Sequence, residues 1–222
     1  MKVTAIKQAR FVALFDIDEL IPSGLISMST VVPAIANRFG FQTTKTPRND
    51  DKPDESKGFE FFDGIWDGTP VQRLAIFNDG IILETRVSTS KSREILVESM
   101  KWAEGELGIQ ATSDFLRRPR FVSVLAFQSD AQIFGHSLAI NNAAQAMSEA
   151  MASVTGKERK YSGIRIDIDF DRSGDKEPVS SFTIQTLALE PFEFSRYYSQ
   201  APLPTEQHIA LLEKYESDVL GQ

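Results

Sequence analysis

The most distinctive chemical pattern in the sequence is an alternation of apolar and acidic residues in its second half. Residues 166–171 read Ile-Asp-Ile-Asp-Phe-Asp. Alternate side chains of a strand point to the same face, so Asp167, Asp169 and Asp171 are predicted to share one face at spacings of about 6.6 Å. Carboxylate oxygens are the ligands that Mg²⁺ and Mn²⁺ prefer. Such a site would suit metal-dependent phosphoryl or nucleotidyl transfer.

A second alternation of this kind lies near the start of the chain, where residues 15–18 read Phe-Asp-Ile-Asp. If Asp16 and Asp18 converge with Asp167 and Asp169 in one cleft, a phosphoryl- or nucleotidyl-transfer enzyme with Mg or Mn as cofactor is expected. A solvated face of an antiparallel strand shows the same alternation without any site. The sequence favours this simpler interpretation, because no phosphate-binding loop or dinucleotide fingerprint accompanies the aspartates.

Other catalytic chemistries have few residues available to them. The chain has no cysteine and two histidines, His136 and His208. This excludes disulfides, cysteine nucleophiles and thiolate zinc sites. His208 is predicted to be a surface or capping residue near the start of the last helix. Outside the aspartate alternative, we assign no catalytic, metal or cofactor-binding residue, and we interpret the chain as a non-enzyme that needs no cofactor.

Composition and charge narrow the class of protein further. The 222 residues are 41% hydrophobic and 25% charged, as in an ordinary globular chain. The net charge of -7 disfavours nucleic acid as a partner. The apolar run at residues 11–15 is too short for a signal peptide or a membrane span. We therefore expect a soluble cytoplasmic protein with no membrane partner, and no small-molecule ligand is indicated.

Hydrophobic periodicity predicts an α+β fold, with a largely antiparallel sheet covered by about four helices. The predicted helices cover about residues 29–40, 90–107, 136–154 and 205–220. The predicted strands cover about residues 3–17, 59–66, 71–77, 81–87, 121–127, 162–171 and 179–189. Residues 44–58 are predicted to form a solvated loop and residues 191–204 an irregular segment. Two helical stripes are predicted to face the sheet, one with Leu96 and Met100 and one with Ile140 and Met147.

The predicted elements follow a similar order in two parts of the chain, residues 1–110 and residues 111–222. Each part begins with a strand, continues through a helix and further strands, and ends with a helix. Local sequence repeats this order, since Arg-Phe-Val occurs at residues 10–12 and again at 120–122. We predict two pseudo-repeated α+β halves packed as one compact unit. The alternative is that chance similarities in a chain of this size produce the resemblance.

The scarcity of catalytic residues favours a non-catalytic assembly or protein-interaction function. Sixteen phenylalanines provide more aromatic surface than a core of this size needs. An aromatic stretch follows Pro191 and includes Phe192, Phe194, Tyr197 and Tyr198. The predicted partner is another protein or a second copy of the chain, so we expect a homo-oligomer.

Overall fold

The computed structural model describes residues 1–15, 28–45, 58–110, 116–170, 180–188 and 191–221. In these ranges the α-helices are α1 (Met28–Phe39), α2 (Thr89–Leu107), α3 (Leu138–Thr155) and α4 (Thr205–Leu220). The strands are β1 (Lys2–Leu14), β2 (Thr43–Lys45), β3 (Phe59–Trp66), β4 (Thr69–Phe77), β5 (Gly80–Thr85), β6 (Arg118–Gln128), β7 (Arg165–Ile168), β8 (Phe182–Thr186) and β9 (Arg196–Ala201). Their hydrogen-bonded order is β2-β3-β4-β5-β1-β6-β9-β8-β7, in an open sheet. The predicted α+β class with a large antiparallel sheet is confirmed.

The chain divides into two compact units. Unit 1 consists of Met1–Ala5, Val124–Pro202 and Glu206–Gln222. Unit 2 consists of Ile6–Ser123 and Leu203–Thr205. The halves 1–110 and 111–222 that the sequence suggests stay a prediction.

The core of unit 2 forms between β1, β5 and two helices. In the second half of β1, Ala9, Phe11 and Ala13 are fully buried, and Phe11 lies opposite the buried Leu83 of β5. Because strand side chains alternate, the residues between them lie on the other face of the sheet. Helices α1 and α2 contribute further core side chains, including Val31, Ile35, Phe39, Ile95, Leu96 and Met100. The prediction that Leu96 and Met100 face inward is therefore confirmed.

Local capping explains where two of the helices begin and end. The side chain of Ser88 accepts a hydrogen bond from the backbone N–H of Lys91, which satisfies a free donor at the start of α2. Gly108 follows α2 with a φ of 69°. This left-handed conformation costs glycine little, so Gly108 can end the helix. Ser137 and Gly156 play the same two roles for α3.

Unit 1 is built on β9, β8, β7 and helix α4. Ile184 of β8 and Leu212 of α4 are buried. Tyr197 of β9 packs against Phe127 and Phe134, with ring centroids 5.5 and 5.6 Å away.

No helix in the described ranges combines the length and the apolar character that crossing a membrane requires.

The predicted irregular segment at residues 191–204 is wrong, because it contains strand β9. Its inward residues Tyr197, Ser199 and Ala201 are buried and alternate with less buried ones. Strand β2 also extends two residues into the predicted loop at residues 44–58. Residues 46–57 of that loop lie outside the described residues.

Helix α3 forms where it was predicted but does not bury the predicted stripe. Ile140 and Met147 are 43% and 46% exposed, and none of its described side chains is buried. The prediction that they face the sheet is wrong. Helical spacing shows which residues share a face, but it does not show whether another element packs on that face.

Candidate functional site

The structure places two of the predicted aspartates at the end of β7. Asp167 lies in the strand and Asp169 lies one residue beyond its end at Ile168, and both are exposed. The strand therefore ends at Ile168, before the predicted end at residue 171. Asp16, Asp18 and Asp171 lie outside the described residues. Their predicted convergence with Asp167 and Asp169 stays a prediction.

Asp167 is held by its neighbour Arg165. The guanidinium Nε and Nη2 atoms donate hydrogen bonds of 2.7–2.9 Å to both carboxylate oxygens. These hydrogen bonds lower the pKa of Asp167, and the carboxylate in turn raises the pKa of Arg165. Both side chains are thus charged at neutral pH. In the part of the chain that the structure describes, no group of three or more acidic or histidine side chains is arranged to hold a metal ion.

The exposed position of Asp169 leads to a testable prediction. Its carboxylate accepts a hydrogen bond from the backbone N–H of Phe170 at 3.0 Å. Substitution Asp169→Asn keeps an acceptor there, so we expect the free energy of unfolding to change by less than about 0.5 kcal/mol. Thermal unfolding with and without Mn²⁺ measures this. Stabilisation of the wild-type chain by Mn²⁺ that disappears in Asp169→Asn would instead favour the metal site.

One edge of strand β7 makes no backbone hydrogen bonds with β8. Arg165 lies opposite Gln185 and Ile166 opposite Ile184, and Thr186 donates its N–H to the carbonyl of Ile164 at 3.0 Å. Hydrogen-bonded and non-hydrogen-bonded pairs alternate along an antiparallel ladder. Residues 164, 166 and 168 therefore bond to β8, while the backbone groups of residues 165 and 167 point away from it. In the order of the described strands, β7 is the last.

Exposed apolar side chains are concentrated in unit 1. Nine of the eleven large apolar side chains that are most exposed among the described residues belong to it. They are Leu138, Ile140, Met147, Val154, Ile164, Ile168, Phe194, Leu211 and Leu220. Exposed apolar residues scattered singly are normal, but a concentration of them marks an interaction site.

Helix α3 packs directly against the segment that leads into β7. The hydroxyl of Ser148 accepts a hydrogen bond from the N–H of Tyr161 at 3.1 Å. A Cβ atom on Gly163 would lie 3.0 Å from Cγ2 of Ile140, so the helix and this backbone are in close contact. The apolar stripe formed by Ile140, Met147 and Val154, which recur every seven residues, therefore lies beside the segment that leads into β7. We call α3 together with residues 164–168 the edge surface.

Sequence reasoning singled out the aspartates of this region and missed its other residues. The signal was present, because residues 164–168 read Ile-Arg-Ile-Asp-Ile, with opposite charges placed symmetrically about Ile166. Treating the segment only as a source of carboxylates hid that symmetry. The structure adds that Ile164 and Ile168 are each 55% exposed.

A buried serine–histidine pair is the nearest approach to a catalytic arrangement. Oγ of Ser199 lies 2.8 Å from Nε2 of His208, and both residues are buried. The prediction that His208 is a surface residue is therefore wrong. Ser199 also donates a hydrogen bond to the carbonyl of Thr183 at 2.7 Å. The pair lies inside unit 1 with no exposed face for a substrate, so its contacts join β9, β8 and α4.

Unit 2 holds an apolar cavity of about 70 Å³. Its lining comes from α1, β4, β5, α2 and the residues after α2, and includes Ile35, Leu74, Leu96, Met100, Trp102 and Leu107. Ser99 also lines it, but its hydroxyl donates to the carbonyl of Leu96 at 2.8 Å. No polar atom of its lining is exposed to the cavity, so the cavity offers no polar group to orient a ligand.

Comparison with known proteins adds no family assignment. The sequence matches no protein-family model. A search of the curated proteins also finds no match. In the described residues, the edge surface combines exposed apolar side chains with a strand that pairs on one side.

Proposed function

We propose that this chain is a non-catalytic protein that associates with a second copy of itself through the edge surface. The observation that carries the proposal is helix α3, whose 18 residues include no buried side chain among those described. The side chains of its apolar stripe, Ile140, Met147 and Val154, are 43%, 46% and 81% exposed. Association would remove these apolar groups from water at about 25 cal/mol per Å².

The charge of α3 supports a second copy as the partner. The chain as a whole carries a net charge of -7, which would make two copies repel each other. Helix α3 has one charged residue, Glu149. Six of its residues are alanine, so its backbone can approach a neighbouring element closely. Contact through α3 therefore brings together weakly charged parts of two acidic molecules.

The size of the surface indicates that α3 does not act alone. A helix of 18 residues is about 27 Å long and about 10 Å wide, and so offers on the order of 300 Å². Stable interfaces bury at least about 600 Å² on each partner. The exposed isoleucines beside it extend the surface toward that size. We accordingly expect association in the micromolar range.

Sedimentation velocity at about 1 to 200 μM tests the proposal. The monomer mass is 24.8 kDa, and we expect a concentration-dependent shift to twice that value. Met147→Lys should weaken the dimer because it places a charge in the apolar face of α3. Leu211→Lys, on the exposed side of α4, is the matched control and should leave it intact. A strict monomer at the highest concentration would contradict the proposal.

The pseudo-repeat is a further part of this proposal. From β1 the strand order runs outward through β5, β4 and β3, and from β6 it runs through β9, β8 and β7. Thr89 and Thr205, the first residues of α2 and α4, exchange hydrogen bonds from each backbone N–H to the other hydroxyl at 3.0 and 2.8 Å. These relations support a duplicated half whose second copy supplies the edge surface. We place the protein in the cytoplasm, in agreement with its lack of cysteine.

A further inference from the structure

We infer that strand β7 pairs antiparallel with β7 of a second copy, so that the two sheets continue across the contact. The pairing is centred on Ile166, which means that Ile166 lies opposite the Ile166 of the second copy. This inference rests on the self-association proposed above and names the strand that makes it. It assigns a role to the last described strand of the sheet. Such a contact uses backbone hydrogen bonds for affinity and side chains for register.

The hydrogen bonds of β7 limit the ways in which two copies can pair. The N–H and C=O groups of residues 165 and 167 point away from β8, as the bond between Thr186 and Ile164 establishes. Only these outward residues can bond to a partner strand, so they must lie opposite one another. A shift of one residue would place inward residues against outward ones and is excluded. The remaining pairings are centred on residue 165, 166 or 167.

Charge selects one of these three pairings. Centring on Arg165 places it opposite the partner's Arg165, and centring on Asp167 places two aspartates together. Like charges directly opposite are destabilising, whereas opposite charges stabilise a cross-strand pair. Centring on Ile166 places Arg165 opposite the partner's Asp167, twice by symmetry. Arg165 and Asp167 pair with each other in the single chain and are about half exposed, so this pair can face the same pair of a partner strand.

The apolar residues favour the same pairing. Centring on Ile166 places Ile164 opposite the partner's Ile168 and Ile166 opposite its own copy. These are non-hydrogen-bonded pairs, in which the side chains lie closest. Ile164 and Ile168 are the two isoleucines that are 55% exposed in the single chain. One register therefore satisfies the backbone groups, pairs the charges and covers both exposed isoleucines.

A charge exchange tests this register in the full-length chain. Arg165→Asp alone and Asp167→Arg alone each turn both attractive cross-strand pairs into repulsive ones. We expect each single variant to weaken dimerisation about tenfold or more in sedimentation velocity. The double variant Arg165→Asp with Asp167→Arg restores opposite charges across the strands and should recover the wild-type dimer. Lys214→Asp is the matched control, because Lys214 pairs with Asp218 on the exposed side of α4.

The outcomes separate this inference from the proposed function. If the wild-type chain dimerises and the single variants dimerise equally well, the β7 register is wrong and self-association stands. If the double variant stays as weak as the single ones, charge pairing across β7 is also overturned. If the wild-type chain is monomeric throughout, both proposals fail. Thermal unfolding of each variant verifies that it is folded, which is expected because the substituted side chains are exposed.

Discussion

Replacing Leu96 by alanine is expected to lower the free energy of unfolding by about 2–5 kcal/mol. Leu96 is 1% exposed in α2 and lines the apolar cavity of about 70 Å³ in unit 2. Truncating it enlarges a space that already exists, and the surrounding side chains gain no new partner there. The cost should therefore fall in the upper half of that range. Denaturant unfolding followed by circular dichroism measures it.

Leu211→Ala provides the matched control for this prediction. It makes the same chemical change on α4, but Leu211 is exposed to solvent. We expect it to cost less than about 1 kcal/mol, since little apolar area returns to water. If Leu96→Ala cost no more than Leu211→Ala, the inward face of α2 would be assigned wrongly.

Replacing Glu216 by glutamine is expected to cost about 1.5–3 kcal/mol near pH 7, the usual contribution of hydrogen bonds to a charged group. Glu216 is buried in unit 1 and lies 2.5 Å from the amino group of Met1. It also accepts hydrogen bonds from the Ser129 hydroxyl at 2.5 Å and the Asp130 N–H at 2.8 Å. Glutamine keeps the size of the side chain but removes the charge that the amino group faces.

The pH dependence of this effect follows from the two pKa shifts. Burial acts to raise the pKa of Glu216, but the three hydrogen bonds outweigh it, and the net pKa is lowered. The contribution of Glu216 to the free energy of unfolding is present above its unfolded pKa of about 4.3. It is lost as the pH falls through the lower pKa of the folded state. The hydrogen bond from Met1 to Glu216 outweighs burial and raises the pKa of the amino group. The contribution of the amino group to the free energy of unfolding is present below about pH 8. It is lost as the pH rises through the higher pKa of the folded state.

The Glu216 pair should therefore contribute most between about pH 5 and 8. Chemical unfolding of the wild type and Glu216→Gln across this range and beyond measures the difference, which should shrink toward pH 3. Glu213→Gln, exposed on the same helix, is the control and should show a small difference at every pH. A cost of Glu216→Gln that did not change between pH 7 and pH 3 would contradict the ion pair.

Periodic patterns predicted the element types well where side chains and local capping agreed. Helix α2 has a helical stripe, a serine cap and a terminal glycine, and all three indicate the same boundaries. Strand β9 was not predicted from the sequence, because one of its inward positions is Ser199. A serine reads as polar in the sequence, and only the contacts with Thr183 and His208 explain why it is buried.

The candidate site was harder to predict than the fold. The pattern in residues 164–168 was visible, but its meaning depends on β7 being last in the sheet, which is a property of strand order. The same limit applies to α3, where the sequence predicts a helix with an apolar stripe. Whether that stripe is buried depends on elements far away in the chain. Local spacing carries no information about such neighbours.

The position of β1 in the sheet also affects the time at which the protein can fold during its synthesis. Phe11 is buried opposite Leu83, which lies 72 positions later in the chain. At a ribosomal rate of about 5–20 residues per second, Leu83 is made about 4–14 s after Phe11. Throughout that interval the nascent β1 has an apolar face without its β5 neighbour. A general chaperone that binds apolar segments would therefore find this face unpaired by β5 until residue 83 is translated.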